Sequence, residues 1–381
     1  MLRAVTTSVL VLGAGFGGLE LSSRLAAAVG DEVEITLIDR SDSFVFGFSK
    51  LDMMFGAGGL DQILLSYSNM SWPQVRFRQE TITSIDAAPR RVSTDLDTYE
   101  ADVLVIALGA DYDTGATPGL AEHGNEFYSV AGALALRDKL PSFTEGHAVV
   151  GVCGPIFKCP PAPSEAALML DDYLRVRGAR DATRISLVMP FGAPVPPSPE
   201  TSKALLAAFA ERGIGWIPDT LISEVGGSPK QLTLNNGETL AFDLFLGIPV
   251  HGVPEVVANS GLCQDGWIPV DKHTLATRLP GVFALGDVAS VGTAKAGFFA
   301  EGQARVVADQ LAARIKGEPT PPGYDGTASC YIGFGRQGVA RVDVDFFSGS
   351  SPKGTYVPPS EETAREKADF ATDRRSRWMG L

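Results

Sequence analysis

Ser8-Val-Leu-Val-Leu12 runs without a break into Gly13-Ala14-Gly15-Phe16-Gly17-Gly18, then into a helix-forming stretch over 19–29 and a second strand over 34–39 that ends in Asp39. An apolar run, a glycine loop, a helix and a second strand closing on an acid make a complete βαβ unit with a GxGxxG fingerprint. Each glycine has its own task. Gly13 permits the tight turn, Gly15 lets backbone N–H groups approach a pyrophosphate, and Gly18 lets the helix pack against the strand. The helix N-terminus then presents its positive dipole end to the phosphates. Asp39 stands 21 positions after Gly18, where a ribose hydroxyl would be gripped, with Arg40 beside it.

The rest of the chain repeats this plan. After a hairpin-like stretch, Glu100-Ala-Asp102-Val-Leu-Val closes the first half, and Asn235-Asn236-Gly237 followed by Phe242-Asp243-Leu-Phe-Leu closes a second half the same way. The expected class is therefore α/β, with two Rossmann-like dinucleotide folds, the second inserted in the first, and a C-terminal segment. The expected division is 1–112 and 249–318 for the first fold, 113–248 for the second, and 319–381 for the C-terminal segment. The second copy begins at Ala148-Val-Val-Gly-Val-Cys153, but no GxGxxG follows. Its loop is Cys153-Gly154-Pro155-Ile156-Phe157-Lys158-Cys159-Pro160-Pro161-Ala162-Pro163, whose prolines lack the N–H donors a pyrophosphate needs. The next strand runs from Arg184 to Met189 into Pro190-Phe191, with no acid at its end. The second fold is expected to have lost nicotinamide-nucleotide binding.

Composition narrows the classes. The 381 residues are 45% hydrophobic and 20% charged, ordinary for a globular protein of more than one unit. A net charge of −13 argues against nucleic acid and against electrostatic attraction to an anionic membrane. No export signal is read at the N-terminus and no apolar run reaches membrane-span length, so a cytoplasmic location is expected, with peripheral contact at the inner face of the cell membrane as the variant. Four cysteines, Cys153, Cys159, Cys263 and Cys330, are too few for a disulfide-stapled domain. The four histidines have no ligand spacing, and no metal is expected.

The choice of nucleotide rests on later motifs. Gly281-Val-Phe-Ala-Leu-Gly286-Asp287 resembles the second FAD motif of the glutathione-reductase-type flavoproteins, in which the aspartate binds the ribityl chain. Asp102-Val-Leu-Val-Ile-Ala-Leu-Gly109 resembles their short connecting motif, with Ala107-Leu108 replacing the usual Ala-Thr. The resemblance implies FAD as cofactor. No cysteine occurs before Val152, which implies a non-covalent flavin.

Cys159 precedes a strong helix over 163–177 and follows Lys158, a setting expected to lower a thiol pKa. Glu165 in the first turn is a candidate general acid/base, although acids favour first turns on dipole grounds alone. The run Gly154-Pro-Ile-Phe-Lys-Cys159-Pro-Pro-Ala-Pro-Ser-Glu165 resembles the active-site loop of sulfide:quinone oxidoreductases and of the flavoprotein subunit of flavocytochrome c sulfide dehydrogenase. Lys295-Ala-Gly-Phe-Phe-Ala-Glu301 resembles their segment beneath the flavin ring, and Cys330 in Ala-Ser-Cys-Tyr-Ile-Gly-Phe-Gly335 stands where they carry a second redox cysteine.

The resemblance implies a Cys159–Cys330 redox disulfide, which nothing in their separation of 171 positions shows. It also implies sulfide or a related sulfur compound as donor, Lys295 near the isoalloxazine, and a quinone as acceptor. Sulfide would open the disulfide to a persulfide and a thiolate, and the electrons would pass through the flavin. A Cys153–Cys159 pairing is the alternative; otherwise Cys153 is a buried strand end and Cys263 a loop thiol. A type II NADH:quinone reductase on the same scaffold and a non-enzymatic flavin-bearing protein are the competing readings.

Two apolar features remain. Phe370 and Trp378, eight apart on a helix-like tail over 360–381, share a face that suits a membrane interface, a core or a homodimer contact. Phe44-Val-Phe46-Gly-Phe48 and Met53-Met54-Phe55 suit either a cofactor or quinone pocket or the core.

Overall fold

The βαβ unit builds the centre of one parallel sheet. In a computed structural model, which describes residues 6–380, five strands run in the order Val282–Ala284, Val103–Ile106, Thr7–Leu12, Val33–Asp39, Val75–Gln79. Every pairing is parallel. The central strands read as near-continuous apolar runs because helices and loops cover both faces, and Val9, Val11, Leu12, Leu104 and Ile106 are all buried. The helix Phe16–Val29 on this sheet packs against the long helix Gly297–Lys316.

The edge strand Val282–Ala284 comes from far along the chain, so everything between is an excursion from the first fold. That excursion holds a second parallel sheet, ordered Ile214–Ile217, Thr183–Val188, Gly146–Val152, Leu244–Ile248. Outgoing and returning chain cross side by side, Asp111–Asp113 pairing antiparallel with Val250–Gly252. Each fold also carries a three-stranded meander, Ile82–Asp86 to Thr98–Glu100 in one and Ile222–Gly227 to Thr239–Ala241 in the other. The second turns at Gly237, whose φ of +85° is the conformation the Asn-Gly pair favours.

After the long helix, Thr327–Gly333, Val339–Asp345 and Lys353–Val357 form an antiparallel sheet, with Cys330 paired to Val342. The helix Glu361–Met379 follows, started by a capping box between Ser360 and Thr363. Its apolar face is spent inside the molecule. Phe370 and Trp378 are buried, with Trp378 among Phe16, Phe44 and Phe46. Trp378 Nε1 donates to Glu20 Oε2 at 2.7 Å. Arg305 and Arg377 join Glu20 and Glu301, and Arg374 joins Glu301, so the two buried acids are matched by three guanidinium groups. Of the three roles open to the tail, closing the core is the one this packing fills. No helix among the described residues is long and apolar enough to cross a membrane. Residues 1–5, on which part of the export-signal reading rests, lie outside the described residues.

Candidate active site

The glycine loop opens onto a cavity of about 520 Å³ that runs from Gly13, Gly15 and Asp39 to Cys159 and Cys330. Gly13 has φ +95°, and a Cβ there would lie 2.5 Å from the Ala107 carbonyl oxygen; a Cβ at Gly18 would lie 1.9 Å from that of Gly13. At Gly15 a Cβ would meet no protein atom within 4 Å, so the backbone there borders open space, as a pyrophosphate requires. No side chain caps the helix that begins at Phe16, which leaves its first N–H groups to a ligand. Asp39 accepts from Ala14 N and Ser41 N, each at 2.8 Å, and so braces the loop while lining the cavity. Arg40 points outward to an ion pair with Asp111 at 3.5 Å.

Further along the wall come Gly109, with φ +70°, and Gly286-Asp287. Asp287 Oδ1 is buried and has no hydrogen-bond partner among the described residues. Burial raises the Asp287 pKa, against the pull of Lys158 and Lys295. An orphaned buried acceptor costs about 1–3 kcal/mol, and a polyhydroxyl chain lying in the cavity would satisfy it. Together with the open cradle at Gly15, this fits a dinucleotide with a ribityl arm. The Lys295 ammonium faces the other way. It donates to the carbonyls of Asp287 (2.6 Å) and Ala289 (3.2 Å) and lies 3.5 Å over the Trp267 ring, while its neighbours Ala294 and Ala296 line the cavity.

The loop that replaces the second phosphate loop is stapled to this cavity. Phe157 is buried and stacks on Phe191, their ring centroids 5.8 Å apart. Tyr128 Oη donates to the Lys158 carbonyl at 3.0 Å, and Cys159 N donates to the Lys295 carbonyl at 2.7 Å. Cys159 itself has φ +54°, a left-handed conformation that a non-glycine residue adopts at a cost. The helix Ala162–Val176 then begins, and its Ala162 N donates back to the Cys159 carbonyl at 2.9 Å.

Cys159, Glu165 and Cys330 all line the cavity. Glu165 ties the loop's helix to the strand carrying Cys330, its Oε1 accepting from Gly333 N at 2.6 Å, with Lys367 Nζ 4.0 Å away. Burial raises the Glu165 pKa, which favours its protonated form. The expected lowering of the Cys159 pKa is not found: burial pushes that thiol up, Glu165 and Cys330 add to the effect, and Lys367 only partly opposes it. The helix dipole acts within one turn, and here desolvation outweighs it. Cys330 is pushed up to about 12 by burial, then Glu165 and Asp343. Cys153 lies elsewhere, in an apolar cluster with Val149 and Phe245, as a buried strand end would. Cys263 donates weakly to the Val257 carbonyl at 3.6 Å.

Among the cavity residues that the sequence reading did not single out are Lys50, Tyr112 and Tyr128. Only Lys50 left a trace there, as the lone cation inside the apolar run from Phe44 to Phe55. From the other apolar residues of that run, Val45, Phe48 and Leu51 line the cavity, whereas Phe44, Phe46, Met53 and Met54 are core.

The chain belongs to the pyridine nucleotide-disulphide oxidoreductase family, whose profile matches residues 7–300, and it is an FAD-dependent oxidoreductase. Sulfide:quinone oxidoreductases are among the proteins it is similar to. The mitochondrial sulfide:quinone oxidoreductase of Dictyostelium discoideum is 26% identical over 346 residues, covering 86% of this chain and 75% of that protein. Among solved structures, the sulfide:quinone oxidoreductase of the hyperthermophilic bacterium Aquifex aeolicus superposes with a TM-score of 0.85 at 22% identity, over 99% of this chain and 93% of that one. NDH2 from Plasmodium falciparum, solved with NADH, shares the fold with a TM-score of 0.76 at 12% identity, over 98% and 96%.

Proposed function

We propose that this chain oxidises sulfide, or a related small sulfur compound, through a Cys159–Cys330 disulfide and delivers the electrons to a quinone. The observation that carries this reading is one cavity whose lining holds Cys159, Cys330 and Glu165 together with the glycine loop and Asp287. In disulfide opening, an incoming hydrosulfide forms a bond to one cysteine sulfur, the Cys–Cys bond breaks, and its electron pair stays on the other sulfur as a thiolate. A bound FAD would supply a two-electron acceptor. Gly15 and the first N–H groups of the helix Phe16–Val29 would hold its pyrophosphate, Asp39 a ribose, and Asp287 the ribityl hydroxyls.

A thiolate of high basicity is a poor leaving group, and both cysteines have raised pKa values. Glu165, whose pKa burial raises and which lines the same cavity, would offer a proton to the departing or the newly bound sulfur. The second loop, which lacks GxGxxG, carries prolines and stacks Phe157 on Phe191, supports this reading over the NADH-dependent one represented by the Plasmodium structure.

Anaerobic mixing of the FAD-loaded protein with sulfide or with NADH separates the two. Bleaching of the flavin by sulfide, and recovery on adding a soluble quinone, is expected. Bleaching by NADH alone would overturn the sulfur reading.

A further inference from the structure

Lys367 comes from the C-terminal helix Glu361–Met379 and lines the cavity that holds Cys159, Glu165 and Cys330. Its Nζ stands 4.0 Å from Glu165 Oε1, the oxygen that also accepts from Gly333 N at 2.6 Å. The pair joins the second fold to the tail, so only the docking of the tail creates it. That docking is fixed on both sides of Lys367. Thr363 Oγ1 donates to the Val339 carbonyl at 2.5 Å, and both Glu366 oxygens accept from Arg341 Nη1 at 2.8 Å. Phe370 packs on Phe298 with ring centroids 4.4 Å apart. Residues 363, 366, 367 and 370 share one face of the helix, and their contacts set where the lysine side chain starts. Its ammonium also lies 5.6 Å over the Phe48 ring. The Lys367 side chain is 19% exposed and that of Glu165 4%, so solvent and salt screen the pair little.

The other titratable groups around the pair come from separate elements. Asp52, on the short helix Ser49–Met54, is raised by burial and pulled back by Lys367. Cys159 on its loop and Cys330 on strand Thr327–Gly333 are both pushed up, by burial first and by Glu165 next. Tyr128 is held neutral by burial. Arg341, the cation on the neighbouring strand, is engaged by Glu366 and Asp343. For Glu165 itself burial is the largest influence, and Lys367 opposes it ahead of the Gly333 N–H. A carboxyl withdrawn from water with no such cation beside it keeps its proton and is a poor donor near neutrality.

We propose that Lys367 is the positioning residue for Glu165: its ammonium stabilises the buried carboxylate, so that Glu165 can give its proton to sulfur and take it back. This rests on the sulfur-centred reading above. In the step it serves, hydrosulfide bonds to one cysteine sulfur and the Cys159–Cys330 bond breaks. The electron pair of that bond passes to the other sulfur, which takes the Glu165 proton. The products are a protonated persulfide, a thiol and a carboxylate. The one negative charge that entered with hydrosulfide ends on Glu165, 4.0 Å from the Lys367 ammonium. Loss of the ammonium leaves burial less opposed, which moves the Glu165 titration to higher pH.

The test is the titration of the Glu165 carboxyl in the FAD-loaded protein, read by infrared spectroscopy from its protonated C=O stretch between about pH 5 and about pH 9. Glu165→Gln identifies the band. Wild type, Lys367→Met and Lys367→Arg are compared, with Lys367→Gln taking the place of Lys367→Met if that variant does not hold FAD. In Lys367→Met the midpoint is expected to rise by about one unit or more, and the alkaline limb of sulfide-dependent flavin reduction to move up with it. Lys367→Arg should restore the wild-type midpoint. A lysine that served only to dock the tail would lower the rate without moving the midpoint upward. A midpoint that stays or falls on loss of the ammonium overturns the proposal, and so does a wild type with no protonated Glu165 band anywhere in this range. A wild-type flavin that sulfide fails to bleach overturns the sulfide reading instead, and the infrared midpoints still judge Lys367.

Discussion

The two phosphate-loop positions of this molecule have the same surroundings and opposite contents. In the first fold, strand Thr7–Leu12 gives way through residues 13–15 to a helix, and the backbone at Gly15 borders open space. In the second, strand Gly146–Val152 is followed by residues 153–161 before its helix, with no GxGxxG among them. Phe157 stacks on Phe191 there, and a Cβ on Gly154 would come within 3.2 Å of Val250 Cα. A Rossmann scaffold thus supplies a helix N-terminus at the sheet edge, and the loop alone decides whether that edge meets a phosphate or a thiol.

The comparison breaks most sharply at the cysteines. Cys159→Ser or Cys330→Ser should lower sulfide-dependent flavin reduction by about 10³-fold or more, with FAD content unchanged, as stopped-flow absorbance would register. Near-normal reduction in both variants would mean that the second loop is only filler. Glu165→Gln keeps the hydrogen bond from Gly333 N but removes the proton, and should cost about 10²-fold. Because burial raises the Glu165 pKa, the wild-type rate should fall as pH rises through that value, and the variant should lose this limb of its profile.

The first loop is tested by Gly15→Val, which puts a side chain into the open cradle. The protein should purify with about tenfold weaker hold on FAD and an otherwise normal circular dichroism spectrum; full flavin occupancy would move the pyrophosphate elsewhere. The smallest effect concerns the tail. Trp378→Phe removes the donor to Glu20 Oε2 inside the core and should lower stability by about 2 kcal/mol in urea unfolding, with catalysis little changed.

Much of this was legible in the chain. The GxGxxG loop, the Gly286-Asp287 motif, the repeat of strand, helix and meander, and the helix after Cys159 all rest on local patterns, because glycine placement and apolar periodicity act over a few residues. The predicted helix over 163–177 lies within one residue of the observed Ala162–Val176. What failed was the electrostatics of Cys159. A helix N-terminus and an adjacent lysine argue for a low thiol pKa, but Lys158 turns to the Ala110 carbonyl and the Tyr112 ring, and burial dominates. Arg40 and Lys295 were likewise singled out by their place in the chain, yet their side chains leave the cavity for Asp111 and for backbone carbonyls.

By itself, then, the sequence determined the two dinucleotide folds, the loop that carries the GxGxxG pattern and the loop that lacks it, because these are written in contiguous residues. Only the tertiary structure decided that Cys159 shares a cavity with Cys330 and that the tail closes the core. Those outcomes depend on groups more than a hundred positions apart and on how completely each is withdrawn from water, and no short window of sequence records desolvation.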